Sequence, residues 1–267
     1  MGKIRLDMRM VELGLVESRE KAKALIMAGQ VKINNIKAEK AGTAVDETTQ
    51  IEITGQKLPY VSRGGLKLEQ AIKYFALDLK NKIMADIGAS TGGFTDCALQ
   101  YGVDKVYAVD VGYGQLDWKL RTNPRVINME RTNARYITID DIGELLDLIS
   151  IDVAFISLEK ILPALKALLK EDGIIIALIK PQFEAGRENI GKKGVVRDPD
   201  IHIDVIKKIV SFSQELGMGV KGLTFSPVTG PEGNIEYLVL LDNTGQVDQF
   251  NITSIVKEAH EKLNGRG

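Results

Sequence analysis

Between residues 4 and 53 the apolar positions change period. Leu6, Met10 and Leu13 recur at helical spacing and Gly14 follows as a stop; Ser18 caps a second helix, Arg19 to Ala28, with Ala22, Leu25 and Ile26 on its apolar face and Gly29 as its C-terminal signal. Val31 and Ile33 then alternate with polar neighbours, Asn34-Asn35 supplies a turn that tolerates positive φ, and Ile51-Glu52-Ile53 reads as a later short strand. Thr54 to Tyr60, with Pro59, reads as a linker, so the pattern predicts a small α+β domain over 1–58. From 59 to 267 strand and helix alternate, the mark of a parallel sheet covered on both faces. The expected strands lie near 83–88, 105–111, 126–129, 151–157, 173–179, 219–226 and 235–241, and the helices near 65–76, 93–101, 114–121, 159–170 and 200–216, with a short last helix from Ser254 to Leu263. No internal repeat interrupts this order.

Composition narrows the chemistry. A hydrophobic content of 44% supports a sizeable core, and 35 basic against 36 acidic residues leave a net charge of -1, so any nucleic-acid partner is held by local patches rather than by a global field. A single cysteine, Cys97, and two separated histidines, His202 and His260, offer no disulfide, no zinc spacing and no Cys/His nucleophile pair, which predicts a reducing, metal-free interior. The N-terminus is charged from Lys3 onward and no stretch reaches the roughly 18 apolar residues of a membrane helix. These features predict a cytoplasmic protein with no membrane partner.

Residues 1 to 40 carry nine basic and five acidic side chains. Arg5 and Arg9 are four apart, as are Arg19 and Lys23, so the spacing places each pair on one helical face, with Lys3, Lys21, Lys32, Lys37 and Lys40 nearby. From charge alone, a solvated amphipathic surface and a phosphate-tracking patch stand level. The series Arg5-Leu6-Asp7, then Ser18-Arg19, Ala22, Leu25-Ile26, Gly29, Val31 and Ile33-Asn34, resembles the small RNA-binding domain first named from a ribosomal small-subunit protein, the S-four domain. That resemblance implies a basic helix pair reading structured RNA by shape and phosphate contacts, with Arg5, Arg9, Arg19, Lys23, Lys32 and, beyond the linker, Arg63 as RNA-binding residues.

The run Asp86-Ile87-Gly88-Ala89-Ser90-Thr91-Gly92-Gly93 joins a strand to a helix beginning Phe94-Thr95-Asp96. A strand, a tight turn and a helix N-terminus let the backbone approach a nucleotide-like ligand closely. Asp110, 22 residues past Gly88 at the end of the next strand, can accept from both hydroxyls of a ribose. Ser90 stands where a pyrophosphate would require glycine, which argues against a dinucleotide. S-adenosylmethionine has no phosphate, and its cationic groups suit a carboxylate such as Asp86. Trp118, the only tryptophan, can line an adenosine pocket or simply pack, and Glu130 and Asn133 lie where an adenine edge would be read. An ordinary tight turn is the plain alternative for the glycines.

Four charged residues sit at elements where burial normally forbids charge: Lys67 before the first strand, Asp152 at the start of the apolar run Ile151 to Ile156, Lys180 after Ile174 to Ile179, and Glu236 within Ile235 to Leu240. Each has an ordinary explanation as a snorkelling lysine or a bridging carboxylate. In order and context they match the Lys-Asp-Lys-Glu tetrad of the FtsJ-like RNA 2'-O-methyltransferases. With Ser62-Arg63-Gly64-Gly65, Glu130-Arg131-Thr132-Asn133-Ala134-Arg135 and Ile179-Lys180-Pro181-Gln182-Phe183-Glu184, nearly the whole chain resembles the TlyA family; Ala154, where a small hydroxylated residue is expected, is the visible departure. The resemblance implies a Rossmann-like seven-stranded methyltransferase sheet, S-adenosylmethionine as cofactor, and a cytidine ribose of ribosomal RNA, in one or both ribosomal subunits, as substrate. It also implies roles: Lys180 as the base for the 2'-hydroxyl, Asp152 fixing its orientation, and Glu236 positioning Lys67 and the ribose.

A base N-methyltransferase of the amino-directed type would carry an Asn/Asp-Pro-Pro-aromatic run where this chain has Asp152-Val153-Ala154-Phe155. A ribosome-binding module without catalysis is a further alternative. The family also bears the name haemolysin A, a membrane-damaging activity that the short, mixed-charge last helix disfavours. The glycine-rich, charged segment 184–199 reads either as a mobile loop closing on RNA beside Lys180 or as an exposed connector.

Overall fold

The computed structural model describes residues 3–54, 58–191 and 194–263. Linker residues 55–57, and Lys192 and Lys193 of the charged segment, lie outside the described residues. The chain divides into two compact units, Met1–Lys57 and Leu58–Gly267.

The first unit runs β1 (Ile4–Arg5), α1 (Leu6–Glu12), α2 (Arg19–Met27), β2 (Val31–Ile33), β3 (Ile36–Lys37), β4 (Ala44–Val45) and β5 (Ile51–Ile53). β1 pairs with β4, and β2 lies between β3 and β5 in a three-stranded antiparallel sheet. Leu6 and Met10 of α1 pack with Ala22 and Ile26 of α2 and with Val31, the amphipathic pattern finding its partner. Ser18 caps α2 by accepting from the Lys21 amide at 3.2 Å. One expectation fails here. Arg5 precedes α1 in an extended conformation, so it shares no helical face with Arg9, which is largely buried and paired with Glu12 at 2.8 Å. Arg5 instead meets Arg19, through Asp7 between them.

The second unit begins with α3 (Gly64–Tyr74), followed by β6 (Ile83–Ile87), α4 (Gly93–Gln100), β7 (Lys105–Val109), α5 (Trp118–Arg121), β8 (Val126–Met129), α6 (Ile139–Ile142) and β9 (Leu146–Ile151). The chain continues through α7 (Leu162–Lys166), β10 (Leu169–Ile179), α8 (Pro181–Glu184), α9 (Pro199–Glu215), β11 (Gly219–Phe225), β12 (Tyr237–Asp242) and α10 (Ile252–Leu263). Seven strands form one sheet in the order β11-β12-β10-β9-β6-β7-β8. Alternate residues feed two cores: Met84, Val106, Leu148 and Ile176 pack against α3 and α4, while Ala85, Ile149 and Ile175 pack against α9 and α10.

Three departures from the sequence reading have physical causes. The fourth strand is Leu146–Ile151 rather than 151–157; its polar members are satisfied by partners distant in sequence, Asp147 accepting from the Ile83 amide and from Lys170, and Ser150 donating to Asp86. The helices expected at 114–121 and 159–170 shrink to α5 and α7. The last strand, β12, runs antiparallel to both neighbours, because residues 226–236 are too short a connection for a parallel crossover.

The segment expected to be mobile or exposed is docked in its second half. Val195 and Val196 are buried; Asn234 accepts from the Val196 amide at 3.0 Å and donates to the Gly194 carbonyl at 2.9 Å. The Val196 carbonyl accepts from His202 Nε2 at 3.0 Å, which fixes that tautomer and leaves Nδ1 to accept from the Tyr237 hydroxyl at 2.7 Å. Burial is the main force lowering His202, aided by His260 and opposed by the Val196 carbonyl and Asp198, from 6.5 to about 4. The unfolded chain therefore takes up this proton first, so the stability His202 contributes is present above about 6.5 and lost as pH falls toward about 4. Unfolding free energies from denaturant titrations at pH 7.5 and pH 5 should differ by more in the parent than in His202→Gln, by about 1–2 kcal/mol; equal differences would remove His202 as the cause.

Candidate active site

The site lies where the strand order reverses. β6 is followed to one side by β7 and β8 and flanked on the other by β9 and β10, and the crevice beyond the carboxyl ends of β6 and β9 is where such sheets bind ligands. The Asp152 amide donates to the Ile87 carbonyl at 2.9 Å, so the residue after β9 is pinned to the end of β6. Asp152 thus follows its strand rather than opening one.

Gly88 turns the chain out of β6 at φ +83, and its missing side chain makes room for the Asp152 carbonyl, 2.5 Å from where a Cβ would sit. Gly92, at φ +91, precedes α4. Gly93 serves packing: its Cβ would fall 2.3 Å from Ser62 Oγ and 2.8 Å from the Gly65 amide nitrogen, so α3 rests on α4. Phe94 is buried in that core beside Leu68 and Ala71, not open to a ligand. Asp86, expected to offer its carboxylate to a cation, is buried and engaged: it accepts from the Thr95 amide (3.0 Å), Thr95 Oγ1 (2.7 Å) and Ser150 Oγ (2.9 Å). Burial pushes its carboxyl up to about 6 against the pull of Thr95 and Ser150. Its role in this geometry is to tie β6 to α4 and β9.

Asp110 is the carboxylate that faces the loop. Its Oδ2 accepts from the Ser90 amide at 2.7 Å and its Oδ1 from the Gly112 amide at 2.7 Å, so the ends of the turns after β6 and β7 are held together. Each oxygen retains capacity for a second donor. Ser90, at φ +48, is exposed and 3.3 Å from Gln115. Trp118 is 74% exposed, so it is not core packing. Glu130 accepts from the Gly114 amide at 2.8 Å and from Arg121; burial opposes these bonds, yet they hold its carboxyl below the ordinary value. Asn133 accepts from the Arg135 amide, an Asx turn just beyond β8.

The four charged residues meet as one ion network. Asp152 takes Lys180 on Oδ1 at 2.5 Å and Lys67 on Oδ2 at 3.1 Å, and Lys67 also donates to Glu236 Oε2 at 2.7 Å. Burial, the largest influence on Lys67, works against its charge, but Asp152 and Glu236 outweigh it and hold the ammonium above its ordinary value. Burial likewise works against the Asp152 carboxylate, and Lys180 and Lys67 outweigh it. Reversal of β12 is what brings Glu236, just before that strand, to the end of the sheet where β9 and β10 finish. Arg63 lies exposed immediately before α3.

Sequence reasoning missed Gln182, whose amide nitrogen is 3.4 Å from Glu236 Oε1 and whose own oxygen is buried with no hydrogen-bond partner among the described residues. It also missed Asp96, which accepts from the Val61 amide at 2.8 Å and from Lys119 at 3.0 Å. Phe155, read as part of a strand, is 91% exposed at φ +63 and packs its ring on Phe183, 5.1 Å away.

A seven-stranded sheet of order β11-β12-β10-β9-β6-β7-β8 with β12 alone reversed, a glycine turn answered by an acid after β7, and a buried Lys-Asp-Lys-Glu network define a Rossmann-like methyltransferase. Residues 60–243 match the profile of FtsJ-like methyltransferases and residues 4–51 that of the S4 domain, and the chain belongs to the FtsJ-like methyltransferase family, with an N-terminal S4 domain. It is 53% identical over 268 residues to a Bacillus subtilis protein named as a candidate rRNA methyltransferase, YqxC, covering 98% of this chain and 95% of that protein. The 16S/23S rRNA (cytidine-2'-O)-methyltransferase TlyA of Mycobacterium tuberculosis is 44% identical over 238 residues, 89% of each chain. A solved structure from Streptococcus thermophilus, described as a candidate hemolysin, superposes with a TM-score of 0.79 at 47% identity over 99% of this chain and 98% of that one.

Proposed function

We propose that the chain transfers the methyl group of S-adenosylmethionine to the 2'-hydroxyl of a cytidine ribose in ribosomal RNA, acting on ribosomal subunits in the cytoplasm. The observation that carries this reading is the network in which Asp152 holds Lys180 and Lys67 together at the carboxyl ends of β9 and β10. The fold, the family and the named activity of the Mycobacterium tuberculosis relative support it.

The residues present fit the cofactor. Asp110 offers a carboxylate with unused acceptor capacity to a ribose, Ser90 is exposed beside it, Trp118 is exposed after Asp117, whose amide bonds the Thr91 carbonyl of that turn, and Glu130 holds the Gly114 amide in the loop after β7. When bound, S-adenosylmethionine supplies an electrophilic methyl group. Lys180, once its ammonium has given a proton to solvent, would take the proton of the 2'-hydroxyl at Nζ and leave the oxygen nucleophilic toward the methyl group that the bound cofactor would supply, with the neutral thioether as leaving group. Asp152 fixes the direction of that amine and remains charged. Lys67, held from two sides, keeps a cation beside the ribose oxygen, and Glu236 holds Lys67 in place.

Incubating the full chain with purified ribosomal subunits and methyl donor, then mapping 2'-O-methyl groups, tests the reading: new methylcytidines are expected, and tight binding without transfer would replace it with a ribosome-binding module. Asp110→Ala is expected to weaken cofactor binding about tenfold or more by titration calorimetry, the worth of charge-assisted bonds to ribose hydroxyls; unchanged affinity would remove Asp110 from the site. The membrane-active reading is less well supported, since the apolar face of α10 is already packed through Val256 and Ala259 into the core.

A further inference from the structure

We infer that Asp7 is a positioning residue for RNA binding: it joins Arg5 and Arg19, two of the residues whose contact with RNA the S-four resemblance implies, into one clamp for the phosphodiester backbone. The inference rests on the RNA-directed function proposed above and concerns how the first unit achieves it.

Asp7 is in the first turn of α1 and its side chain is fully buried, an unusual place for a carboxylate unless it is fully bonded. It is: Oδ1 accepts from the Met8 amide at 3.0 Å and from Arg5 Nε at 2.9 Å, and Oδ2 accepts from Arg5 Nη2 at 3.0 Å and Arg19 Nη2 at 3.2 Å. Arg5 therefore lies in a two-pronged bond on the acid, while Arg19 reaches the same Oδ2 from the start of α2. The acid is inside and the cations are outside, with the Arg5 and Arg19 side chains 48% and 47% exposed. Arg5 holds the Asp7 carboxyl at about 2, with Arg19 adding to it against burial, so the acid is charged wherever RNA binding would be measured.

The outward face keeps what a phosphate needs. These bonds use Nε and Nη2 of Arg5 and Nη2 of Arg19, so Asp7 does not occupy Nη1 of either guanidinium. Arg5 Nη1 lies over Gly42, where a Cβ would come within 3.0 Å of it, so the glycine leaves room for the group. Two long side chains that would otherwise lose rotamer freedom on binding are ordered in advance. Helical spacing paired Arg5 with Arg9; the buried acid pairs it with Arg19 instead, across two elements.

Asp7→Asn separates this inference from simple charge. Removing a negative charge from a phosphate-facing surface should tighten RNA binding if only net charge counts. Loss of the shared anchor should weaken it, by about tenfold. The experiment measures binding of the full chain to purified ribosomal subunits across a salt series, for the parent, Asp7→Asn, the Arg5→Lys/Arg19→Lys variant and the triple variant, all well below their melting midpoints. Weaker binding by Asp7→Asn in the parent background, and no further weakening in the lysine background, is expected, because Asp7 acts through the two guanidiniums. Binding by Asp7→Asn as tight as the parent or tighter, or an equal loss in both backgrounds, would overturn the site. If the parent itself does not bind subunits, it is the RNA-directed reading that fails.

Discussion

Replacing Lys180 with alanine should reduce methyl transfer by about 10²- to 10⁴-fold, the range lost with a general base, while cofactor affinity stays within a few-fold. Lys180 follows β10 directly and points its amine to Asp152 at 2.5 Å, whereas the turn proposed to hold the cofactor is built by Gly88, Ser90 and Asp110. Chemistry and cofactor binding thus rest on different residues, and single-turnover rates and calorimetry would read them separately. Lys180→Arg sharpens the result. Arginine keeps the positive charge and can still pair with Asp152, but it does not give up its proton, so it cannot receive one from the ribose. It should be nearly as inactive as alanine. Full turnover in either variant would remove Lys180 as the base.

Gly88→Ala should combine a large loss of stability with a large loss of cofactor binding. The residue sits at φ +83, which costs a side chain about 1–3 kcal/mol. The added Cβ also falls 2.5 Å from the Asp152 carbonyl, a backbone atom that cannot swing away. The strand ends β6 and β9 must part to admit it, breaking the hydrogen bond that the Asp152 amide donates to the Ile87 carbonyl. Gly143, at φ +85 with nothing within 4 Å of its added Cβ, provides the control: Gly143→Ala bears the conformational cost alone. Thermal melting should show Gly88→Ala losing more than Gly143→Ala by about 2 kcal/mol or more, and only the former should lose methyl transfer. Equal losses would mean that the crevice yields freely.

The sheet and its helices were legible because most strands of the large sheet centre on an apolar run and each long helix carries an apolar face. One exception is instructive. Leu146 to Ile151 holds Asp147 and Ser150, which look like interruptions until Ile83, Lys170 and Asp86 satisfy them, and those partners are far away in sequence. The apolar run just after it, Val153 to Ile156, has the composition of a strand but leaves the sheet, with Phe155 almost wholly exposed. Lys67, Asp152, Lys180 and Glu236 could be singled out because charge amid apolar sequence is costly to fold. Their pairing could not, since it depends on the direction of β12. Asp86 and Phe94 show the same limit from the other side: position in a glycine-rich motif does not say which side chains face outward, and both face the core.

The reversed strand also orders events during synthesis. β12 lies between β10 and β11, so a nascent chain that has made β10 but not yet residue 237 has the edge of its longest strand unpaired in what will become the interior of the sheet. Until Tyr237–Asp242 inserts, that edge is open to other strands, and Glu236 is absent from Lys67. Closing the sheet and completing the ion network are therefore one event, and a methyltransferase so built holds its full charge network only once its own fold is sealed.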